Sequence, residues 1–317
     1  MLAVLSALWA PTSLFGAELH NPRIAIFTPG LGLAAVHKGM EEGLTRLGYI
    51  DGKNINFLLE DTKGSTADLS ARAATLMGSK PDLLFTVTIP HTMAAKQATS
   101  SVPVVFAWVG NPVSAGLVAY YPYSKSNLTG VTSTTDSLSG KRLEVLLEIA
   151  PKAKRLLVIV ASNESVSTSS FHSLDQAAKK LGVKLVRHDV TSDEEIKTVL
   201  DKTSKGSVDA IFNTSSNLVR FNIDLLINKA KLDRIPLSVN EDGLVDRGAL
   251  TSYGPDSRLI GRQAANLINK ILFGAKAGEI MVEPPGRFFF AINQTTAKQI
   301  GLTIPRGILA QADRVIQ

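Results

Sequence analysis

The chain has 317 residues, 34 Lys and Arg against 28 Asp and Glu, a formal charge of +6 and no cysteine. A chain this long buries roughly 75% of its unfolded surface without a disulfide or metal staple, and its length suggests about two domains. The content of 44% hydrophobic and 20% charged residues is that of a globular protein, and the missing cysteines exclude disulfides, thiolate zinc sites, iron–sulfur clusters and a cysteine nucleophile.

Residues 1–16 carry no charge. Their apolar centre, residues 2–10, has the length of a signal-peptide core and is too short to span a bilayer. Small Gly16 and Ala17 follow, and Glu18 opens polar sequence. Residues 1–17 are therefore expected to be an export signal, with an internal apolar helix as the alternative, and the mature chain to be soluble and periplasmic. From Arg23 onward short β-branched runs alternate with amphipathic stretches. Residues 24–27 read as a buried strand. Residues 33–47 read as a helix with Val36, Met40, Leu44 and Leu47 on one face, stopped by Gly48. A strand at 55–59, a helix at 67–77, a strand at 83–87, a helix from Pro90 and a strand at 104–108 complete a first set. Segment 112–139, rich in Gly, Pro, Ser, Thr and Tyr, reads as a connection with local strand. The second set has strands at 155–160, 184–187, 210–212, 236–239, 249–252 and 288–292. Its helices fall at 165–181, 192–201, 217–231 and 256–273. This alternation predicts an α/β protein of two doubly wound, Rossmann-like lobes, each a parallel sheet covered on both faces.

Several chemistries are disfavoured by pattern. The basic excess is dispersed, with no run above two adjacent Lys or Arg and only 6% aromatic residues, so no nucleic-acid stripe is expected. The five histidines show no i, i+4 pair, which argues against a metal site. Gly140-Lys141 lacks P-loop spacing, and Arg142 stands where Ser or Thr would bind magnesium. Gly30-Leu31-Gly32-Leu33-Ala34-Ala35 matches G-x-G-x-x-A between a strand and a helix, with Glu60 or Asp61 at the end of the next strand. That leaves an NAD-type oxidoreductase as one alternative. The plainer reading is a glycine turn that lets a ligand approach a helix N-terminus.

The remaining strand ends share hydroxyls, amides and an aromatic ring without a nucleophile–base pairing. In open parallel sheets ligands sit beyond the carboxyl ends of strands, so two lobes with facing ends make a binding cleft. The candidate contacts are Thr88, His91 and Trp108 from the first lobe and Asn163, Ser165, Ser216, Asn217 and Glu241 from the second. Trp108 would supply apolar area, the hydroxyls and amides hydrogen bonds, and Glu241 a partner for a cation. For each polar residue the competing reading is a plain helix cap. Binding without bond-making is expected, with no enzyme activity, cofactor or metal.

Longer segments carry a resemblance. They are Gly39-Met40-Glu41-Glu42-Gly43-Leu44, Leu47-Gly48-Tyr49-Ile50-Asp51-Gly52-Lys53-Asn54-Ile55 and Asn111-Pro112-Val113-Ser114-Ala115-Gly116-Leu117-Val118. Asn127-Leu128-Thr129-Gly130-Val131, Gly248-Ala249-Leu250, Gly301-Leu302-Thr303-Ile304-Pro305 and Ala310-Gln311-Ala312-Asp313-Arg314-Val315-Ile316 continue the set. In this order and spacing the chain resembles ABC-transporter substrate-binding proteins of the tryptophan/tyrosine-uptake type, which have the type I periplasmic-binding fold. The resemblance implies crossovers near Asn127, Ser252 and Gly286. The first lobe would then hold residues 18–127 and 253–286, and the second 128–252 and 287–317. It also implies a monomer that captures a small solute by hinge closure and hands it to a membrane permease; a sensing module reporting to a receptor is a further alternative. The family usually has Asp where Asn111 and Ser216 stand here. Glu164, Glu241 and Asp242 are the carboxylates left to meet an ammonium. The expectation is a carboxylate or neutral solute, with a ring against Trp108, in place of a standard α-amino acid.

Overall fold

The computed structural model describes residues 21–135 and 137–317. The expected export signal lies outside them. The first lobe runs β1 (Arg23–Thr28), α1 (Ala34–Arg46), β2 (Asn56–Asp61), α2 (Leu69–Gly78), β3 (Leu83–Val87), α3 (Ile89–Ala98), β4 (Val104–Val109) and β5 (Leu128–Thr132). The chain then crosses into α4 (Ser139–Ile149), β6 (Arg155–Ala161), α5 (Ser165–Leu181), β7 (Lys184–Val190) and α6 (Asp193–Lys202). β8 (Ala210–Phe212), α7 (Asn217–Phe221), α8 (Ile223–Asp233), β9 (Leu237–Val239), α9 (Gly243–Asp246) and β10 (Thr251–Pro255) follow. α10 (Ser257–Leu272) returns to the first lobe, and β11 (Phe288–Asn293), α11 (Gln294–Gln299), α12 (Arg306–Gln311) and β12 (Arg314–Ile316) end in the second.

The first sheet has the order β2-β1-β3-β4-β5 with every pair parallel. β1, β3 and β4 are apolar on both faces because helices cover both sides. β2 is the half-exposed edge. The second sheet has the order β12-β11-β10-β9-β8-β6-β7. Its edge strand β7 carries Lys184, Arg187 and Asp189, charges that discourage edge-to-edge pairing. β11 runs antiparallel to β10, a departure from the all-parallel expectation. It enters from the first lobe through residues 284–287 with no crossover helix, so it can only lie head to tail beside β10.

Two lobe boundaries differ from the expectation. Leu128–Thr132 still pairs with β4, so the first crossover follows Thr132 and not Asn127. Thr251–Pro255 pairs with β11 along its whole length, so the second crossover is at Asp256 and not Ser252. There the Asp256 side chain accepts the Leu259 N–H at 2.9 Å and caps α10. Glu283 still bridges to Val131 of the first lobe, which leaves the third passage around Gly286.

α10 is clamped onto α1. A Cβ on Gly261 would lie 1.9 Å from the Val36 carbonyl oxygen, and one on Gly39 2.1 Å from that of Arg258. The two backbones thus touch where neither helix has a side chain. Arg258 and Arg262 both ion-pair with Glu42 beside this crossing. The returning segment is therefore part of the first lobe's core, and rotation between the lobes is confined to the three short passages.

Candidate functional site

The carboxyl ends of the two sheets face each other. On the first lobe β4 shifts register between Ala107 and Val109, and Trp108 takes φ +57°. A bulge of this kind re-aims one side chain. The Trp108 indole, 3% exposed, lines a cavity between the lobes together with Ile89, Ser133 and Thr135. Thr88 also has positive φ, +77°, directly before α3. Its Oγ1 lies 3.0 Å from His91 Nδ1, and His91 Nε2 lies 3.1 Å from Thr62 Oγ1. The ring stands edge-on to Phe27 at 4.7 Å. Burial, aided by the positive charges of Arg220 and Arg72, pushes the His91 pKa down to about 3. His91 is therefore a neutral strut that ties three loop starts together. Thr88 and His91 are buried behind the cavity wall and do not line it.

On the second lobe α7 begins at the cleft. Ser216 Oγ accepts the Val219 N–H at 3.1 Å as its cap. The Glu164 carboxylate accepts the N–H groups of Asn217 and Leu218 at 2.8 and 3.0 Å. A helix start leaves such donors unpaired, and an anion satisfies them. Arg220, one turn on, donates from Nε to Glu241 Oε1 at 2.6 Å and from Nη1 to Asn217 Oδ1 at 3.1 Å. The two side chains of this ion pair are 6% and 1% exposed. Ser215, Ser216, Asn217, Arg220 and Val166, with Gly110 of the first lobe, complete the cavity wall.

The cavity measures about 20 Å³, room for roughly one water molecule. A wider pocket of about 570 Å³ opens at the cleft mouth, between Ser65, Thr66 and Pro90 of the first lobe and Asn163, Glu164 and Asn217 of the second. The structure thus gathers Trp108, Ser216 and Asn217 around the inner cavity and Asn163 and Asn217 around the outer one. Ser165 is exposed at the start of α5 and lines neither. Glu241 is engaged through one oxygen: Arg220 holds its Oε1, and its buried Oε2 has no hydrogen-bond partner among the described residues. Asp242 accepts from Ser257 Oγ at 2.6 Å, and burial raises its pKa.

Arg220 is the residue the strand-end reading missed. Its signal was available: a lone guanidinium within the apolar run Leu218-Val219-Arg220-Phe221, three residues after Asn217.

The glycine motif has a different use from the dinucleotide one. Gly30 adopts φ +61°, and the Asp61 carboxylate occupies the space where its Cβ would stand. Gly32 faces the other lobe: a Cβ there would meet Glu241 Oε2 and Leu244 Cδ2 at 2.9 Å. A Cβ on Gly243 would lie 2.5 Å from the Gly32 carbonyl oxygen. The second lobe's α9 therefore fills the approach to this turn that a pyrophosphate would need. The oxidoreductase alternative has no support in this geometry.

Comparisons with known proteins bear on the site. The model of the family described as ABC transporter substrate binding protein matches residues 23–316. A tyrosine-binding protein of Clostridioides difficile (strain R20291) is 29% identical over 266 residues, covering 84% of this chain and 76% of that one. A Streptococcus pneumonia ABC domain in complex with L-Trp superposes with a TM-score of 0.84 at 23% identity, covering 94% of this chain and all of that one. The ligand-free, open structure of a Clostridium difficile substrate-binding protein gives 0.67 at 25% identity, covering 93% and 99%.

Proposed function

We propose a function from the premise that this chain belongs to the family of ABC transporter substrate-binding proteins, with two lobes of the type I periplasmic-binding fold. The reading is that it works outside the cytoplasm, captures one small organic solute between its lobes and presents the closed form to an ABC permease. The solute class is an aromatic acid, an amino acid or a related compound, and it leaves unaltered.

The observation that carries this is the position of the inner cavity, walled by Trp108, Ser133 and Thr135 of the first lobe and Ser216, Asn217 and Arg220 of the second. A guest seated there touches both lobes, so it enters and leaves as they move apart about the three short passages. In this reading Asn163 and Asn217 meet the solute at the mouth. Thr88 and His91 hold the wall in shape, and Glu241 orients Arg220. Among the described residues no helix is long and apolar enough to cross a membrane.

Mass spectrometry of small molecules released from the purified chain tests the reading. Recovery of one organic solute, returned unchanged after incubation with fresh protein, is expected. Conversion of that solute, or retention of a nicotinamide nucleotide in its place, would overturn it.

A further inference from the structure

The second lobe's side of the cleft holds more buried positive charge than negative. Arg220 lines the cavity and is matched by Glu241. Behind that pair stands Arg142 of α4, fully buried. Its Nη2 donates to the Asn213 carbonyl oxygen, and its guanidinium lies 4.3 Å over the Phe212 ring. Its Nε and Nη1 have no hydrogen-bond partner among the described residues. Burial pulls its pKa down to about 9, against the field of Glu241, so it remains a cation at neutral pH. Two guanidinium groups thus share one carboxylate.

The other acids nearby are committed. Both Glu164 oxygens accept the α7 N–H groups. Asp242 is bonded by Ser257 and sits in the field of Arg314. On the first lobe Asp61 accepts the Lys63 N–H and packs on Gly30, and His91 is neutral.

A second set of orphan atoms lies in the same layer. Leu250 and Ile292 pack with Val145 and Ile149 of α4. With strand alternation, Ser252 is next on that face toward the cleft, and Arg142 is one turn ahead of Val145. Ser252 Oγ and Asn213 Oδ1, like Glu241 Oε2, are buried with no hydrogen-bond partner among the described residues. Above them Ser215 forms part of the cavity wall. The layer beneath the cleft floor is polar, positive and incompletely satisfied. Buried charge of one sign is costly unless a counter-charge arrives.

We propose that the cleft selects solutes with one net negative charge, a carboxylate without an α-ammonium group, with Arg220 as the contact and Arg142 as the supporting buried charge. This rests on the solute-capture reading and names its substrate class. The Arg220–Glu241 pair disfavours zwitterions: an ammonium would have to compete with Arg220 for Glu241, and the Glu164 carboxylate at the mouth already accepts two α7 N–H groups.

Calorimetric titration with matched compounds tests it. The panel is phenylpropionate, phenylalanine, phenethylamine and phenylpropionamide, with hexanoate, norleucine, hexylamine and hexanamide as the aliphatic set. The acid of at least one set is expected to bind about tenfold or more tighter than its zwitterion, amine and amide. Arg220→Met should weaken that acid about a hundredfold. Glu241→Gln keeps an acceptor for Arg220 and removes the competing charge, so the acid should bind as tightly or more tightly. Tighter binding of an amino acid, amine or amide overturns the proposal. So does loss of acid binding in Glu241→Gln, and so does silence across the whole panel. In that last case a solute released from the purified chain leaves capture standing and removes only the charge assignment.

Discussion

Replacing Gly243 by Ala separates closure from stability. The new methyl group would sit 2.5 Å from the Gly32 carbonyl oxygen, on backbone of the opposite lobe. A backbone oxygen cannot swing aside as a side-chain tip can, so the two lobes have to stand apart by most of an ångström. Overpacking of this kind costs about 1–3 kcal/mol, and here it falls only on the closed form. Apparent affinity scales with the fraction of closure-competent molecules, so the solute should bind roughly 5- to 150-fold more weakly. Gly243 opens α9 without positive φ, and Ala is the better helix former by up to about 1 kcal/mol. The second lobe should therefore unfold at the same temperature or slightly above it. Calorimetry with the solute recovered from the purified chain, paired with thermal unfolding of the free protein, reads both quantities. Affinity within twofold of the parent, at unchanged stability, would refute the contact's role in closure.

Three further outcomes concern stability. Unfolded imidazole takes up a proton below about pH 6.5, whereas buried His91 does so only near 3. Its contribution is therefore lost as pH falls through that window, by about 1.4 kcal/mol per pH unit. Urea denaturation at stepped pH should show this slope in the parent and a flatter one in His91→Gln. Glu42 is the reverse case. Its hydrogen bonds to Arg258 and Arg262 hold its pKa near 2, below the usual 4.5. The stability gap between the parent and Glu42→Gln should be full above about pH 4.5 and vanish as pH falls toward 2; a gap that persists at pH 2 would contradict this. Gly261→Ala drives a methyl group into the Val36 carbonyl and should cost about 1–3 kcal/mol. Differential scanning calorimetry should show Tm lower by several degrees, and an unchanged Tm would mean that the helix crossing yields freely.

Much of the architecture was legible because the strands are short, β-branched and punctuated. Residues 165–181 carry helical spacing up to Gly182, and the helix ends there in the left-handed conformation. Residues 210–212 are an apolar triplet between polar turns, and that triplet is β8. The misses have physical causes. α4 went unassigned because segment 112–139 reads as a loop and its end hid the helix start, although Leu143, Leu146 and Ile149 share a face. The expected helix 217–231 breaks at Asn222, whose side chain bonds the Leu218 carbonyl and Asp193. No local pattern announces that break. The antiparallel entry of β11 depends on the length of a passage between lobes, which periodicity does not encode.

The candidate site was legible in outline and not in detail. Strand-end position located Trp108, Ser216 and Asn217 at the cavity. It could not tell a wall from what braces the wall. His91 looked like a contact, and its two nitrogens turned out to be satisfied by Thr88 and Thr62 inside the lobe. Glu241 looked like a free anion, and its partner Arg220 lies 21 positions away on a different element. Pairings between distant loops are set by how the strands are ordered in the sheet.

Small-angle X-ray scattering tests the account most directly. The chain is freed of bound solute, and profiles are recorded before and after the recovered solute is added back. The account expects a smaller radius of gyration with solute present, reversed on its removal. Superimposable profiles at saturating solute would contradict capture by lobe closure.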